Sequence, residues 1–79
     1  MAPYYIVLAN DHPLLRECLR RILKGKTDLE VVGEAEDGLE LISLLDSGKI
    51  NPHMIILDLS LPNLKRDVIH RLINRSIIV

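Results

Sequence analysis

The sequence predicts an α/β domain built on a parallel sheet, and three observations support this fold class. Apolar runs rich in β-branched residues alternate with segments whose apolar residues recur at helical spacing. Glycine, proline, asparagine or aspartate separates one element from the next. The runs at 4–9 and 55–57 are continuous, as in strands that are buried on both faces. The predicted order is βαβαβα followed by the start of a fourth strand, with right-handed crossovers.

Length and composition limit the chain to one small domain. Its 79 residues carry a formal net charge of −1, and 48% are hydrophobic while only 3% are aromatic. We therefore expect an aliphatic core and no electrostatic attraction for nucleic acid. No apolar run approaches the ~18 residues of a membrane span, and no basic segment precedes the first run as in a signal peptide. The single cysteine, Cys18, excludes an internal disulfide and indicates a reducing cytoplasm.

The first strand and the first helix are predicted within residues 4–24. Tyr4 to Ala9 is the strand, Asp11 or His12 caps the helix, Pro13 is its first residue and Gly25 follows its end. The apolar face of this helix is expected in the core, with Cys18 as a core residue and not a catalytic thiol. That face consists of Leu15, Cys18, Leu19, Ile22 and Leu23. The opposite face is interpreted as solvated, with a docking surface as the alternative, and consists of Arg16, Arg20 and Lys24.

The remaining elements follow the same logic. Residues 29–35 form a second strand, whose acidic side chains suit a sheet edge. A second helix is capped by Asp37, and Gly48 closes it. A third strand spans 53–58, a last helix lies around 68–73, and a fourth strand begins at 77. The apolar face of the second helix is Leu39, Leu41, Ile42 and Leu45; that of the last helix is Val68, Ile69, Leu72 and Ile73.

Two aspartates close predicted strands and carry the candidate chemistry. Asp11 follows the first strand and Asp58 ends the third, so neighbouring strands would bring both carboxylates to one sheet edge. Two such charges ~4 Å apart repel by ~4 kcal/mol at an effective dielectric of ~20, which favours a bound cation. Hard oxygen ligands suit Mg²⁺, and a carboxylate such as Asp58 can form an acyl phosphate. The alternative is that Asp58 only starts a turn.

Two motifs resemble those of bacterial response-regulator receiver domains. Residues 9–17 read ANDHPLLRE and residues 57–62 read LDLSLP. Together with VGEA at 32–35, they are most similar to receivers that precede LuxR-type helix-turn-helix output domains. The resemblance implies a flavodoxin-like fold with strand order 2-1-3, which places the first and third strands side by side. Residues 1–79 would then form a partial receiver domain that ends before the fourth strand is complete.

The resemblance also implies a role for each residue of the acidic site. Asp58 matches the aspartate that accepts phosphate from a sensor histidine kinase. Asp11 matches the acidic residue that binds Mg²⁺ directly, and Asn10 occupies the position that reaches the metal through water. Ser60 matches the residue whose backbone carbonyl completes the metal site. The expected function is therefore that of a Mg²⁺-dependent phosphoacceptor module in two-component signalling and not an enzyme acting on a separate substrate. DNA binding would come only through an output domain absent from this chain.

The sequence departs from the family pattern in three places. Asn10 replaces an acidic residue and removes one charge from the metal site. The loop at 63–66 lacks the usual glycine, and Lys65 and Arg66 are interpreted as solvated, with an approach to the phosphate as the alternative. The family's Thr or Ser after the fourth strand and its Lys after the fifth are absent. His12 is interpreted as a capping or surface residue, and His53 and His70 as ordinary polar positions.

These departures leave open a second function. A degenerate receiver could act only as a phosphorylation-independent interaction or dimerisation module. With order 2-1-3 the third strand would be an edge, with Ile55 and Leu57 beside unpaired backbone, and we expect self-association through the third or fourth strand. A dinucleotide-binding domain is disfavoured, because no G-x-G-x-x-G follows the first strand.

Overall fold

The predicted elements all occur in a computed structural model of the chain, which describes residues 3–26, 28–73 and 77–78. The strands are β1 (Tyr4–Ala9), β2 (Leu29–Ala35), β3 (Met54–Leu57) and β4 (Ile77–Ile78). The helices are α1 (Pro13–Lys24), α2 (Gly38–Asp46) and α3 (Arg66–Ile73). The described part of the chain contains no helix that is both long and apolar enough to cross a membrane.

The four strands form one parallel sheet in the order β2-β1-β3-β4. The predicted neighbours, β2-β1-β3, are therefore confirmed. Ala9, the last residue of β1, pairs with Ala35 of β2 and with Leu57 of β3. Because three strands end at the same level, the residues that follow them leave the sheet together at its carboxyl edge.

The prediction that β3 is an exposed edge is wrong for its first half. Met54 and Ile55 of β3 pair with Ile77 and Ile78, so β4 is the outermost described strand on this side. Ile55 and Leu57 are buried at 0% and 8% exposure. Both side chains therefore lie in the core, but only Ile55 belongs to the half of β3 that is paired with β4.

The main core lies between one face of the sheet and the helices α2 and α3. Its buried members are Val7, Ala9, Ala35, Leu41, Leu45, Ile55, Leu57, Leu61, Val68 and Leu72. The alternation of a strand sends Ile6 and Leu8 of β1 to the opposite face, where both are also buried. Burial on both faces explains why the apolar run of β1 is continuous. The core is aliphatic, as the composition of the chain predicts.

The predicted apolar face of α1 is mostly exposed, which corrects the expectation from helical spacing. Leu15, Cys18 and Ile22 are exposed, and only Leu19 and Leu23 of the predicted set are half-buried. Among the described elements, α1 packs chiefly against β2. The helix is rotated so that Arg16, expected in solvent, turns inward and is 8% exposed. Acceptors at the carboxyl edge of the sheet, the buried Asn10 carbonyl and the half-buried Glu34 carboxylate among them, satisfy its guanidinium.

Asp37 caps α2 as predicted, since its side chain accepts a hydrogen bond from the Glu40 N–H at 2.7 Å. The helix ends at Asp46, and Gly48 follows with a positive φ of 74°. Leu39 of α2 and Ile73 of α3 are exposed, so both were wrongly predicted to face the core. Each stands at the border of its helix's apolar stripe, where spacing alone does not define the face.

The N-terminus of α2 is packed tightly against the loop between β3 and α3. The Gly38 N–H donates to the Pro62 carbonyl at 2.8 Å. A Cβ atom at Gly38 would lie 2.3 Å from the carbonyl oxygen of Asn63, which is backbone and cannot rotate away. Asn63 itself has a positive φ of 60°. The absence of a side chain at Gly38 therefore allows α2 to support this loop.

Replacing Gly38 by alanine is expected to destabilise the protein by ~1–3 kcal/mol, because the new methyl group overpacks the contact with Asn63. The free energy of unfolding in urea measures this change. Gly25→Ala is the matched control, since its Cβ would meet its nearest neighbour at an ordinary 3.6 Å. Gly25 has a helical φ of −73°, so that variant should gain ~0.4–1 kcal/mol. Equal stabilities for the two variants would contradict the close approach at Gly38.

Candidate functional site

The carboxyl ends of β1 and β3 hold the candidate site residues in place through backbone hydrogen bonds. The Asp58 N–H donates to the Ala9 carbonyl at 3.0 Å, and the Asn10 N–H donates to the Ala35 carbonyl at 3.1 Å. These bonds continue the strand pairing by one residue on each side of β1. Asp11 and Asp58 consequently start from rigid positions at the mouth of the sheet.

Asp11, His12 and Asp58 meet in one cluster. One ligand atom from each of these residues lies within 4.8 Å of the other two. His12 Nε2 is 3.3 Å from Asp11 Oδ1 and 3.9 Å from Asp58 Oδ2. The side chains of Asp11 and Asp58 are 41% and 30% exposed, so water reaches both carboxylates. The strand order therefore brings the two aspartates together as the sequence predicts.

Ser60 controls the ionisation and the orientation of Asp58. Its backbone N–H and its hydroxyl both donate to Asp58 Oδ1, at 2.9 and 2.8 Å. These two hydrogen bonds lower the pKa of Asp58; partial desolvation opposes them, and the charge of a protonated His12 adds to them. Asp58 is thus a carboxylate at neutral pH, with Oδ1 held by Ser60 and Oδ2 facing His12.

Asn10 is an anchor for the acidic loop. It is 3% exposed, and its side-chain Oδ1 accepts a hydrogen bond from the His12 N–H at 2.9 Å. Its backbone carbonyl accepts from Arg16 Nη1 at 2.6 Å. This engagement of Asn10 supports the turn at residues 10–12. The roles predicted for Asn10 and for the Ser60 carbonyl in metal binding remain predictions.

His12 is a surface residue as predicted, with a side chain that is 61% exposed, but its place beside the two aspartates was not predicted from the sequence. It is the N-cap residue of α1 but makes no side-chain capping bond, and its imidazole lies beside Asp11 and Asp58 instead. The signal in the sequence is its position directly after Asp11. Sequence spacing does not show that the ring lies near Asp58, since that depends on the course of the Asn10 turn.

The other candidate residues lie outside the acidic cluster. His53 is at the opposite end of the sheet, where its Nδ1 accepts from the Tyr5 N–H at 2.9 Å and its ring contacts Tyr4 edge-on. His53 therefore supports the start of β3, far from the acidic cluster. Lys65, Arg66 and His70 are exposed.

The donors at the carboxyl edge fit a magnesium ion. Asp11 and Asp58 provide hard carboxylate oxygens that are close together and accessible to water. Mg²⁺ binds through one or two carboxylates and keeps several waters, so this arrangement suits its coordination. The fit rests on the types and positions of the donors.

Comparisons with known proteins agree with this fold. The family model for the response regulator receiver domain matches residues 6–76. The transcriptional regulatory protein DegU of Brevibacillus brevis is 38% identical over 71 residues, which cover 84% of this chain and 29% of that protein. The nitrate/nitrite response regulator protein NarL of Escherichia coli K12 is 39% identical over 62 residues, which cover 78% of this chain and 28% of that protein. The chain thus spans less than a third of the length of these two relatives.

Solved structures give the same result. The crystal structure of the non-phosphorylated receiver domain of the stress response regulator RcsB from Escherichia coli matches with a TM-score of 0.82 and 31% identity. That match covers 96% of this chain and 62% of the other. A structure of the RcsB response regulator of Salmonella typhimurium matches with a TM-score of 0.84 and 32% identity. That match covers 99% of this chain and 40% of the other.

The open parallel α/β sheet in the order β2-β1-β3 defines a flavodoxin-like domain, and its two aspartates lie together at the carboxyl edge. This chain belongs to the response regulator receiver domain family. Of the two relatives named above, DegU is a transcriptional regulatory protein and NarL is a response regulator.

Replacing Ser60 by alanine is expected to raise the pKa of Asp58 toward its ordinary value, because the hydroxyl hydrogen bond to Oδ1 is lost. The carboxyl carbon shift of Asp58 in an NMR titration measures this pKa. Ser43→Ala, an exposed serine on α2, is the control. An unchanged Asp58 titration in Ser60→Ala would contradict this assignment.

Ser60→Ala should also alter how the free energy of unfolding depends on pH. A carboxyl whose pKa is lowered by folding stabilises the protein above its unfolded pKa. That contribution disappears as the pH falls through the folded pKa. Since Ser60→Ala brings the two pKa values closer, its acid-dependent loss of stability should be smaller than that of the unmutated protein.

Proposed function

We propose that this chain is the phosphoacceptor module of a two-component response regulator, with Asp58 accepting a phosphoryl group from a sensor histidine kinase. One observation carries the proposal: Asp58 is ionised, bound through Oδ1 to Ser60, and placed beside Asp11 at the carboxyl edge of the sheet. The family match supports the same conclusion. The proposed site comprises Asp58 with Asp11 as metal ligands, the Ser60 carbonyl, and Asn10 through water.

The unequal engagement of the two Asp58 oxygens indicates which one reacts. Oδ1 already accepts two hydrogen bonds, which reduce its nucleophilicity and hold the carboxylate plane. Oδ2 would attack the phosphorus of a phosphohistidine. The P–N bond breaks, the imidazole keeps the electron pair and takes a proton from solvent, and an acyl phosphate forms on Asp58. A bound Mg²⁺ supplies neutralisation of the charge that converges on the phosphoryl oxygens.

Asn10 should weaken metal binding without abolishing it. The amide replaces a charged member of the acidic pair, so the site carries one negative charge fewer. Asp11 and Asp58 still provide two carboxylates. Asn10 also supports the alternative of a degenerate receiver that binds partners independently of phosphate, and the phosphorylation experiment below separates the two.

The longer proteins related to this chain indicate its setting. DegU is a transcriptional regulatory protein, and this chain matches 29% of its length. NarL is a response regulator, and this chain matches 28% of its length. We accordingly place the module in the cytoplasm, in a regulator that contacts DNA through a separate output domain. Receiver domains are generally signalling modules and not enzymes that act on a separate substrate, and we propose the same here.

Intact mass spectrometry after incubation with acetyl phosphate and Mg²⁺ tests the proposed function. The unmutated protein is expected to gain one phosphoryl group, because the Asp58 carboxylate is ionised and accessible. Asp58→Ala should gain none. Asp67→Ala removes an exposed acidic residue of α3 and should gain it as the unmutated protein does. A folded protein that gains no mass would sink the phosphoacceptor proposal and favour the interaction module.

Self-association through β4 is a second part of the proposal. Among the described strands, β4 pairs on one side with β3 and has no strand beyond it. An open edge of this kind can pair with a strand of a second copy. Sedimentation velocity at increasing protein concentration is expected to show a dimer. A monomer at every concentration would contradict pairing at this edge.

A further inference from the structure

Arg16 joins three parts of the carboxyl edge of the sheet through one guanidinium group. Its Nη1 donates to the Asn10 carbonyl at 2.6 Å, in a buried hydrogen bond. Its Nε donates to Glu34 Oε1 at 3.0 Å, and its Nη2 donates to Glu36 Oε1 at 3.0 Å. The side chain is only 10% exposed. A buried arginine is tolerated when its charge is paired and its donors are bonded, and both conditions hold here.

The acceptor that Arg16 binds on β1 is the carbonyl of the peptide that links Asn10 to Asp11. Because a peptide group is planar, fixing this carbonyl also fixes the direction of the Asp11 N–H and the start of Asp11. Asn10 is held at two further points, through its N–H to Ala35 and through Oδ1 to the His12 N–H. The hydrogen bond from Arg16 to the Asn10 carbonyl is the third restraint on Asn10, which directly precedes the proposed metal ligand Asp11.

The carboxylates of the second strand hold the guanidinium in turn. Glu34 is near the end of β2 and Glu36 follows that strand, so both start from the sheet. Glu34 is shared, since its second oxygen lies 3.3 Å from Arg20 Nε on the same face of α1. The end of β2 thereby sets the position of Arg16, and Arg16 sets the position of the acidic loop.

We propose that Arg16 is a positioning residue for the acidic site, which orients the Asn10–Asp11 peptide for metal binding and thereby for phosphorylation of Asp58. This inference rests on the proposed function. Arg16 touches neither Asp11 nor Asp58 in its hydrogen bonds, so it acts through the Asn10 carbonyl.

The sign of the effect on Mg²⁺ affinity separates positioning from simple electrostatics. Arg16 is a cation near an acidic site, so its positive charge by itself opposes Mg²⁺ binding. Removing that charge would strengthen binding if charge alone mattered. Loss of positioning would weaken binding, because a displaced Asp11 no longer meets the ion together with Asp58.

Isothermal titration calorimetry with Mg²⁺ on Arg16→Met tests the proposal. We expect the Kd to rise by ~10-fold or more, the loss typical when an outer partner of a metal ligand is removed. Arg21→Met is the matched control, since Arg21 is an exposed arginine of α1 that bonds to Glu17 on its own helix. It removes the same charge and should leave the Kd unchanged. An unchanged or lower Kd for Arg16→Met would overturn the proposal.

Arg16→Lys keeps the charge but cannot present the three-donor fork to Asn10, Glu34 and Glu36. Its Kd is also expected to rise, and a Kd equal to that of the unmutated protein would overturn the proposal by showing that the three-donor fork is not needed. This variant decides the matter by the same criterion if Arg16→Met does not fold, as judged by circular dichroism.

A measurement without metal keeps this inference distinct from the proposed function. Hydrogen exchange of the His12 amide reports the Asn10 turn directly, because that amide donates to Asn10 Oδ1. Exchange should be faster in Arg16→Met than in Arg21→Met. If the unmutated protein binds no Mg²⁺, the metal-dependent function fails, while the His12 exchange rates still decide whether Arg16 positions the loop. Equal rates in the two variants would overturn it.

Discussion

The pairing of β1 with a parallel neighbour on each side is the constraint on which the rest of the structure depends. Ala9 is level with both Ala35 and Leu57, so three strands end together. The backbone bonds of Asn10 and Asp58 extend that alignment into the loops. Two carboxylates that would otherwise repel are held at one edge, since the hydrogen bonds of the sheet stabilise the arrangement.

The loops that follow the strands then place different partners on the two oxygens of Asp58. The two bonds from Ser60 engage one oxygen of Asp58 and keep the group ionised, while the other oxygen faces His12. On the opposite side, Asn10 is buried and bonded at its N–H, its carbonyl and its side-chain oxygen. Gly38 lets α2 rest against the loop that carries Ser60. Each contact restrains backbone, and a restrained backbone limits how far the acidic side chains can move.

Sequence reasoning succeeded where a local pattern has one structural solution. The continuous apolar run of β1 requires a central strand, and Asp37 before an apolar segment requires a helix cap. It failed on the rotation of α1, where Ile22 is 61% exposed and Arg16 is buried. Helical periodicity identifies an apolar stripe, but the rotation also depends on which polar groups meet the helix. Here Arg16 bonds to the Asn10 carbonyl, Glu34 and Glu36 at the sheet edge.

By itself, the sequence determined the order of the elements and the parallel sheet, because these follow from hydrophobic pattern and chain connectivity. The meeting of Asp11 with Asp58 was predicted through the resemblance to receiver domains, which implied that the first and third strands are neighbours. Only the tertiary structure decided that His12 lies between the two aspartates, that Ser60 holds Oδ1, and that Arg16 supports the acidic loop. Those contacts depend on the directions of side chains and carbonyl groups contributed by segments far apart in the chain. The spacing of residues in the sequence does not predict these directions. They are fixed only when the strands pair and the loops that follow them fold.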